Sequence, residues 1–403
     1  MTHNRSAREK CLPATASVHA GEARLKPGHA LIDPLFQTST YTFDNMADLV
    51  AYQAAHNQGH VADRFEYGRY GNPTVASAEA RLAALENAES AILVASGMAA
   101  LTFPFLSLLP SGSHIVMTDD SYRRTRQFVE EPLKKFKVDC TVVPLGDFEA
   151  LEAAIRPETR LLFSETPSNP YLRVLDVARF AEVGRRRGVL TLVDATFSTP
   201  INLRPLEWGI DLITHSATKY LGGHHDLLAG FIAGSEKTLQ PIREMIGLLG
   251  GVSDPNTAYL LLRGMKTLGL RVRQQNANGQ AVAEFLAAHP AVEQVWYPGL
   301  KTHPGHEIAS KQMTGYGGVL SFTVKGGREE TFRFIDALQI PFISPSLGGT
   351  ESLILHVAAQ AYSDLTPEQC LKLGIPQNLV RLALGIEDAA DLIADLDQAL
   401  RSI

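Results

Sequence analysis

Lys219 stands in the run His215-Ser216-Ala217-Thr218-Lys219, just after a short apolar segment, residues 212–214. An amine at such a place can condense with an aldehyde to an imine and can carry protons. Two other short apolar segments end in polar residues of a complementary kind. Residues 161–163 run into Ser164-Glu165-Thr166-Pro167-Ser168-Asn169-Pro170, and residues 190–193 run into Asp194-Ala195-Thr196. A fourth segment, residues 91–95, runs into Ser96-Gly97-Met98-Ala99-Ala100. A small-residue turn that opens a helix presents backbone N–H groups and the positive end of the helix dipole, which suits a phosphate. Amine, carboxylate, amide, hydroxyls and a phosphate cup on one rim are what pyridoxal 5′-phosphate (PLP) requires. The lysine forms the imine, and the acid keeps the pyridine nitrogen protonated so that the ring takes up electrons. Each signal alone is weak: a strand-end lysine is usually a surface residue, a strand-end Asp often caps a helix, and Ser-Gly is commonly only a turn. Their joint occurrence in this order carries the reading.

These side chains meet only if the segments are neighbouring strands. From about residue 75 to 235, short apolar runs alternate with helical stretches. The strand candidates are residues 91–95, 114–117, 141–144, 161–163, 190–193, 212–214 and 228–232. Amphipathic stretches such as 75–87, 148–155 and 177–187 separate most of them. The alternation predicts an α/β fold with a mainly parallel, seven-stranded sheet covered by helices on both faces. In such a sheet, ligands bind beyond the carboxyl ends of the strands. The chain of 403 residues exceeds what one core usually supports. Residues 1–62 read as an irregular arm, 63–255 as the large domain, and 256–403 as a smaller α+β domain. The last begins with a long helical stretch, continues with strand-like pieces at 318–324 and 380–384, and ends in a helix from Asp388.

The bulk numbers exclude several classes. Net charge is -6, and the basic runs Arg123-Arg124 and Arg185-Arg186-Arg187 are short, so no nucleic-acid footprint is present. Cys11, Cys140 and Cys370 are far apart and not in CxxC spacing, which argues against a disulfide framework or a thiolate metal site. His224-His225-Asp226 is no convincing metal site either, because adjacent histidines face opposite ways on a strand; a loop role fits better. No apolar stretch has the length of a signal-peptide core or a membrane span, and the expected location is the cytoplasm.

The segment HSATKYLGGHHDLLAG resembles the cofactor-lysine signature of the Cys/Met-metabolism family of PLP enzymes. That family includes cystathionine γ-synthases, γ- and β-lyases, methionine γ-lyases and O-acylhomoserine sulfhydrylases. The likeness extends through FEYGRYGNPT, ASGMAA, ETPSNP, VDATFSTP, GYGGVLSF, PSLGGTESL and LVRLALGIED, nearly the whole chain from about Val18 onward. It implies the aminotransferase-like fold of type I. Lys219 would carry the imine and then act as general acid/base, for which its ordinary pKa of roughly 10 must fall. Asp194 would pair with the pyridinium nitrogen. The Gly97 and Met98 N–H groups, with the Ser216 and Thr218 hydroxyls, would hold the phosphate. Tyr122 would stack on the ring and count with Lys219 as catalytic, and Asn169 would sit near the cofactor oxygen and the substrate. Arg381 would grip the substrate carboxylate with two prongs, supported by Ser346. In the family, the residues matching Tyr67 and Arg69 reach the phosphate of a neighbouring subunit, so the resemblance implies a homotetramer of two catalytic dimers.

Some positions depart from the family pattern. Arg123-Arg124 follow Tyr122 where many relatives carry small residues, and the cysteine that methionine γ-lyases place in that stretch is missing. Ala195 replaces the usual Asn after the pyridine-binding Asp, and Pro345 stands where bacterial γ-synthases and γ-lyases often place Glu. SYRRTRQF, VDATFSTP, SPSLGGTES and YSDLTPEQCLKLGIPQNLVR most resemble the plant-type cystathionine γ-synthases. The expectation is γ-replacement on an O-acyl- or O-phosphohomoserine by cysteine, with γ-elimination or sulfhydrylation as alternatives. An idle PLP-binding scaffold is the rival from another class; the intact set Lys219, Asp194, Tyr122 and Arg381 speaks against it. Arg123 and Arg124 are expected either near the mouth of the site, favouring an anionic leaving group, or turned toward solvent or a neighbouring subunit.

Overall fold

A computed structural model describes residues 11–57 and 64–403. Residues 1–10 and 58–62 of the expected arm lie outside them. The first sheet comprises β1 (Ser90–Val94), β2 (His114–Thr118), β3 (Asp139–Val143), β4 (Thr159–Glu165), β5 (Leu190–Asp194), β6 (Leu212–His215) and β7 (Gly230–Gly234). Their order is β1-β7-β6-β5-β4-β2-β3. β7 is antiparallel to both of its neighbours, and every other pairing is parallel. Two reversals cancel, so β1 runs the same way as β6. The carboxyl ends of β1, β4, β5 and β6 therefore share one edge of the sheet.

The sheet is covered on both faces, as continuous apolar strands require. Val116, Leu162, Val193 and Ile213 face one core, with Leu82 and Leu85 of the helix Pro73–Glu86. The alternate residues Ile115, Phe163, Leu192 and Leu212 face the other, with Phe105 of the helix Gly97–Leu108 and Ile246 of the helix Glu236–Leu249. This period of two comes directly from the strand pleat.

The second sheet holds β8 (Val292–Trp296), β9 (Val319–Val324), β10 (Phe342–Ile343), β11 (Leu353–His356) and β12 (Leu379–Ala383), in the order β10-β11-β12-β9-β8. Phe322, Leu382 and Phe334 form its core with Leu396 of the C-terminal helix Ala389–Leu400.

Several expected boundaries are corrected. The seventh strand lies at Gly230–Gly234, not at 228–232. Leu228 is 70% exposed, and the backbone of Ala229 is tied to Thr218 outside the ladder. The long helical stretch is two helices, Pro255–Met265 and Leu268–Ala288. The buried Arg271 guanidinium bonds the Gly264 carbonyl at the break (2.9 Å) and the Tyr220 carbonyl (2.7 Å). The arm is not wholly irregular: it carries the helices Pro13–His19 and Met46–Asn57. Arg81, 1% exposed, fastens it by bonding Ala20 O (3.1 Å) and Glu22 (2.6 Å). His224 and His225 lie in a loop. Among the described residues, no helix is long and apolar enough to cross a membrane, and no group of three or more His, Cys, Asp or Glu has the makings of a metal site.

Candidate active site

The helix Gly97–Leu108 starts at the carboxyl end of β1. Ser96 caps it by accepting the Ala99 N–H (3.1 Å), and the N–H groups of Gly97 and Met98 have no intrahelical partner. A Cβ on Gly97 would stand 2.6 Å from Ser216 Cβ. Only glycine lets the turn after β1 and the turn after β6 approach this closely, which brings the helix start to the Ser216 hydroxyl. The other expected phosphate hydroxyl is engaged: Thr218 Oγ1 donates to Ala229 O (3.1 Å) and accepts from Ala229 N (3.0 Å).

Asp194 ends β5. Its Oδ1 accepts the Thr196 N–H (2.9 Å) and the Thr196 hydroxyl (2.5 Å), and Thr196 Oγ1 in turn accepts the Ser216 N–H (2.8 Å). Thr196 thus orients the carboxylate and locks β5's end to β6's. Its cue in the sequence is an Asp followed two residues later by a Thr, the spacing of a local side-chain turn. Burial raises the Asp194 carboxyl; the two Thr196 bonds and the nearby His215 oppose that rise. His215 was not expected to matter. Its Nε2 lies 2.7 Å from Glu86 Oε1, both are buried, and its ring stacks on Phe231 at 4.8 Å.

Lys219 Nζ donates to Ser346 Oγ at 2.6 Å. Desolvation first, and the Arg381 cation second, lower its ammonium to about 8. Arg381 lies on β12 and is 8% exposed. It donates to Asn169 Oδ1 (3.1 Å) and to Ser346 O (2.9 Å), while its Nε is buried without a partner. Burial brings this guanidinium down to about 10, with the phenols of Tyr220 and Tyr122 acting the other way. Ser346 has φ +105°, a strained conformation for a residue with a side chain. The strain is kept where one residue meets both the lysine and the arginine. A cleft of about 750 Å³ opens above Lys219, lined also by Ser346, Pro345, His225 and Glu351. Ala195 is fully buried.

Tyr122 is 44% exposed, and its N–H donates to Glu165 Oε1 at 2.6 Å. Tyr67 and Arg69 make their contacts elsewhere: Arg69 donates to Gly247 O and lies over the rings of Tyr70 (4.7 Å) and Tyr67 (5.7 Å). Tyr67 is 45% exposed. Arg123 forks onto Asp364 of its own chain at the surface (Nη1–Oδ1 2.7 Å), bonds Ala361 O (2.6 Å) and lies over Tyr362 (5.1 Å). That pairing holds the Asp364 carboxyl down to about 2. Arg124 is exposed and bonds Gln127 (2.7 Å).

The residues present fit PLP. A partly desolvated amine, a strand-end carboxylate, free N–H groups at a helix start and an unmatched guanidinium N–H converge on one sheet edge. The site therefore supports imine chemistry on an amino acid whose carboxylate Arg381 would take.

The comparisons with known proteins agree with this geometry. The chain is 48% identical over 391 residues to cystathionine gamma-synthase 1, chloroplastic, of Arabidopsis thaliana, covering 96% of this chain and 68% of that one. It is 42% identical over 391 residues to the L-methionine gamma-lyase of Pseudomonas putida, covering 96% and 97%. A crystal structure of cystathionine gamma synthase from Xanthomonas oryzae pv. oryzae, in complex with aminoacrylate and cysteine, superposes with a TM-score of 0.90 at 35% identity, covering 97% of this chain and 98% of that one. The model of the Cys/Met metabolism PLP-dependent enzymes matches residues 14–401, and the chain belongs to that family.

Proposed function

We propose that the protein catalyses γ-replacement on an activated homoserine, with cysteine as the incoming thiol and cystathionine as the product. The observation that carries this reading is the joined set of Lys219, Ser346, Arg381 and Asn169, in a chain 48% identical to a plant cystathionine γ-synthase. PLP, when bound, supplies an electron sink that acidifies the substrate's Cα–H. The chain's own residues do the rest. Arg381 takes the substrate carboxylate through its fork, including the Nε that has no partner. Lys219, with its ammonium at about 8, is neutral often enough near neutral pH to remove a proton from Cα and, once it has given that proton up, one from Cβ as the γ-substituent departs; a proton returns to each of the two carbons after the thiol has added at Cγ. Ser346 Oγ keeps the amine aimed into the cleft.

On this reading Asp194 would pair with the pyridine nitrogen and Tyr122 would lie against the ring. Gly97, Met98 and Ser216 would hold the phosphate, and Thr218 would shape that cup while its proton stays on Ala229. Tyr67 and Arg69, whose own contacts lie off this rim, serve the phosphate of a second subunit, in a homotetramer of two catalytic dimers. Residues 63–255 then carry the cofactor groups, residues 256–403 carry Ser346 and Arg381, and residues 1–62 form the arm. The proposed location is the cytoplasm.

The 42% identity to a methionine γ-lyase supports γ-elimination as the second reading. Incubating the holoenzyme with O-acetyl-, O-succinyl- and O-phosphohomoserine, with and without cysteine, and weighing the products separates the two. Cystathionine should form faster than 2-oxobutanoate when cysteine is present. Cleavage of cystathionine or methionine faster than cystathionine formation would establish the lyase.

A further inference from the structure

β4 and β5 end in register, with Glu165 opposite Asp194. In-register neighbours on parallel strands point to the same face about 5 Å apart. Two carboxyls so placed do not both ionise cheaply, and their surroundings decide which one keeps the proton. Asp194 accepts two hydrogen bonds from Thr196 and feels His215. Glu165, 6% exposed, accepts one, from the Tyr122 N–H. The other groups facing Glu165 are Asp120, whose carboxylate oxygens are also out of solvent, and Arg126, which already donates to Asp119 O (2.8 Å).

We infer that Glu165 is a protonated carboxylic acid at neutral pH, leaving Asp194 as the single anion of the pair and holding the backbone of Tyr122 in place. Burial first, and the Asp194 charge second, push the Glu165 carboxyl well above its ordinary value. An ionised Glu165 would set a second negative charge beside Asp194 with only one N–H to stabilise it. Glu165 is thus a positioning residue. It acts through Asp194 and Tyr122, and its consequence for catalysis rests on the proposed roles of those two residues.

The test is the infrared spectrum of the holoenzyme at neutral pH, with and without ¹³C-carboxyl glutamate. A carboxylic-acid C=O band that shifts with the label and disappears in Glu165→Gln is expected. Glu79 is another glutamate with a raised carboxyl, half-buried beside Arg243, so Glu79→Gln is the control and should keep the band. Absence of any glutamate acid band, or a band lost in Glu79→Gln, overturns the inference. If Glu165→Gln does not fold, a labelled band that survives both Glu79→Gln and Glu86→Gln carries it. Cofactor binding gives a second readout. Glu165→Gln keeps an oxygen for the Tyr122 N–H and should hold PLP nearly as well as the parent, whereas Glu165→Ala should weaken it roughly tenfold. A Gln variant as weak as the Ala variant would mean that the charge is needed, and would overturn the inference. Failure of the Asp194 reading shows separately, as Asp194→Ala keeping both the cofactor spectrum and most of its turnover while the infrared band is unchanged.

Discussion

At the scale of single residues the site is a set of groups shifted from their ordinary protonation by burial and by one another. Lys219 is the clearest case. Its ammonium is lowered to about 8 by desolvation and by Arg381. Imine formation needs the neutral amine, and the neutral fraction rises with pH until the pH passes the pKa. The rate at which apo-protein takes up PLP should therefore climb about tenfold per pH unit below 8 and level off above it. A stopped-flow pH series checks this. A profile flat from pH 6 to 8, or one still climbing toward the ordinary value of 10.5, would contradict the environment described for Lys219.

At the scale of elements, what was legible depended on how local the signal was. β2, β4 and β6 are fully or nearly fully buried, so their apolar runs announce them, and the residues that follow β4, β5 and β6 mark the rim. β8 was missed because VEQVW is half-exposed and carries a charge; β11 was missed although it is as short and as buried as β6. His215 was missed because its contacts with Glu86 and Phe231 join separate elements, which the spacing of residues does not specify, whereas Thr196 carried a local cue, the Asp two residues before it, that went unread. Arg123 is the extreme: its partner Asp364 lies 241 positions away. That pair joins the segment after Tyr122 to the stretch 361–364 and occupies the guanidinium fork. Arg123→Ala should therefore change kcat/KM to the same degree with O-acetyl-, O-succinyl- and O-phosphohomoserine, and Asp364→Ala should mimic it. A loss confined to the charged substrates would place Arg123 at the leaving group instead.

At the scale of the whole molecule, the site is built between the two sheets. Lys219 and Asp194 come from the first; Ser346 and Arg381 come from the second or the loop before it, and bonds such as Lys219–Ser346 and Arg381–Asn169 span the divide. The proposed oligomer adds a third contributor. Co-expressing a Lys219→Ala chain with an Arg69→Ala chain should restore activity that neither has alone, because mixed dimers contain one intact site. No restoration in verified mixed dimers would mean that each chain is self-sufficient. The central claim, that this chain works through PLP on Lys219, is tested most directly by reducing the holoenzyme with borohydride, digesting it and weighing the peptides. The pyridoxyl group is expected on Lys219; the label on another lysine, or no bound cofactor at all, would contradict that chemistry.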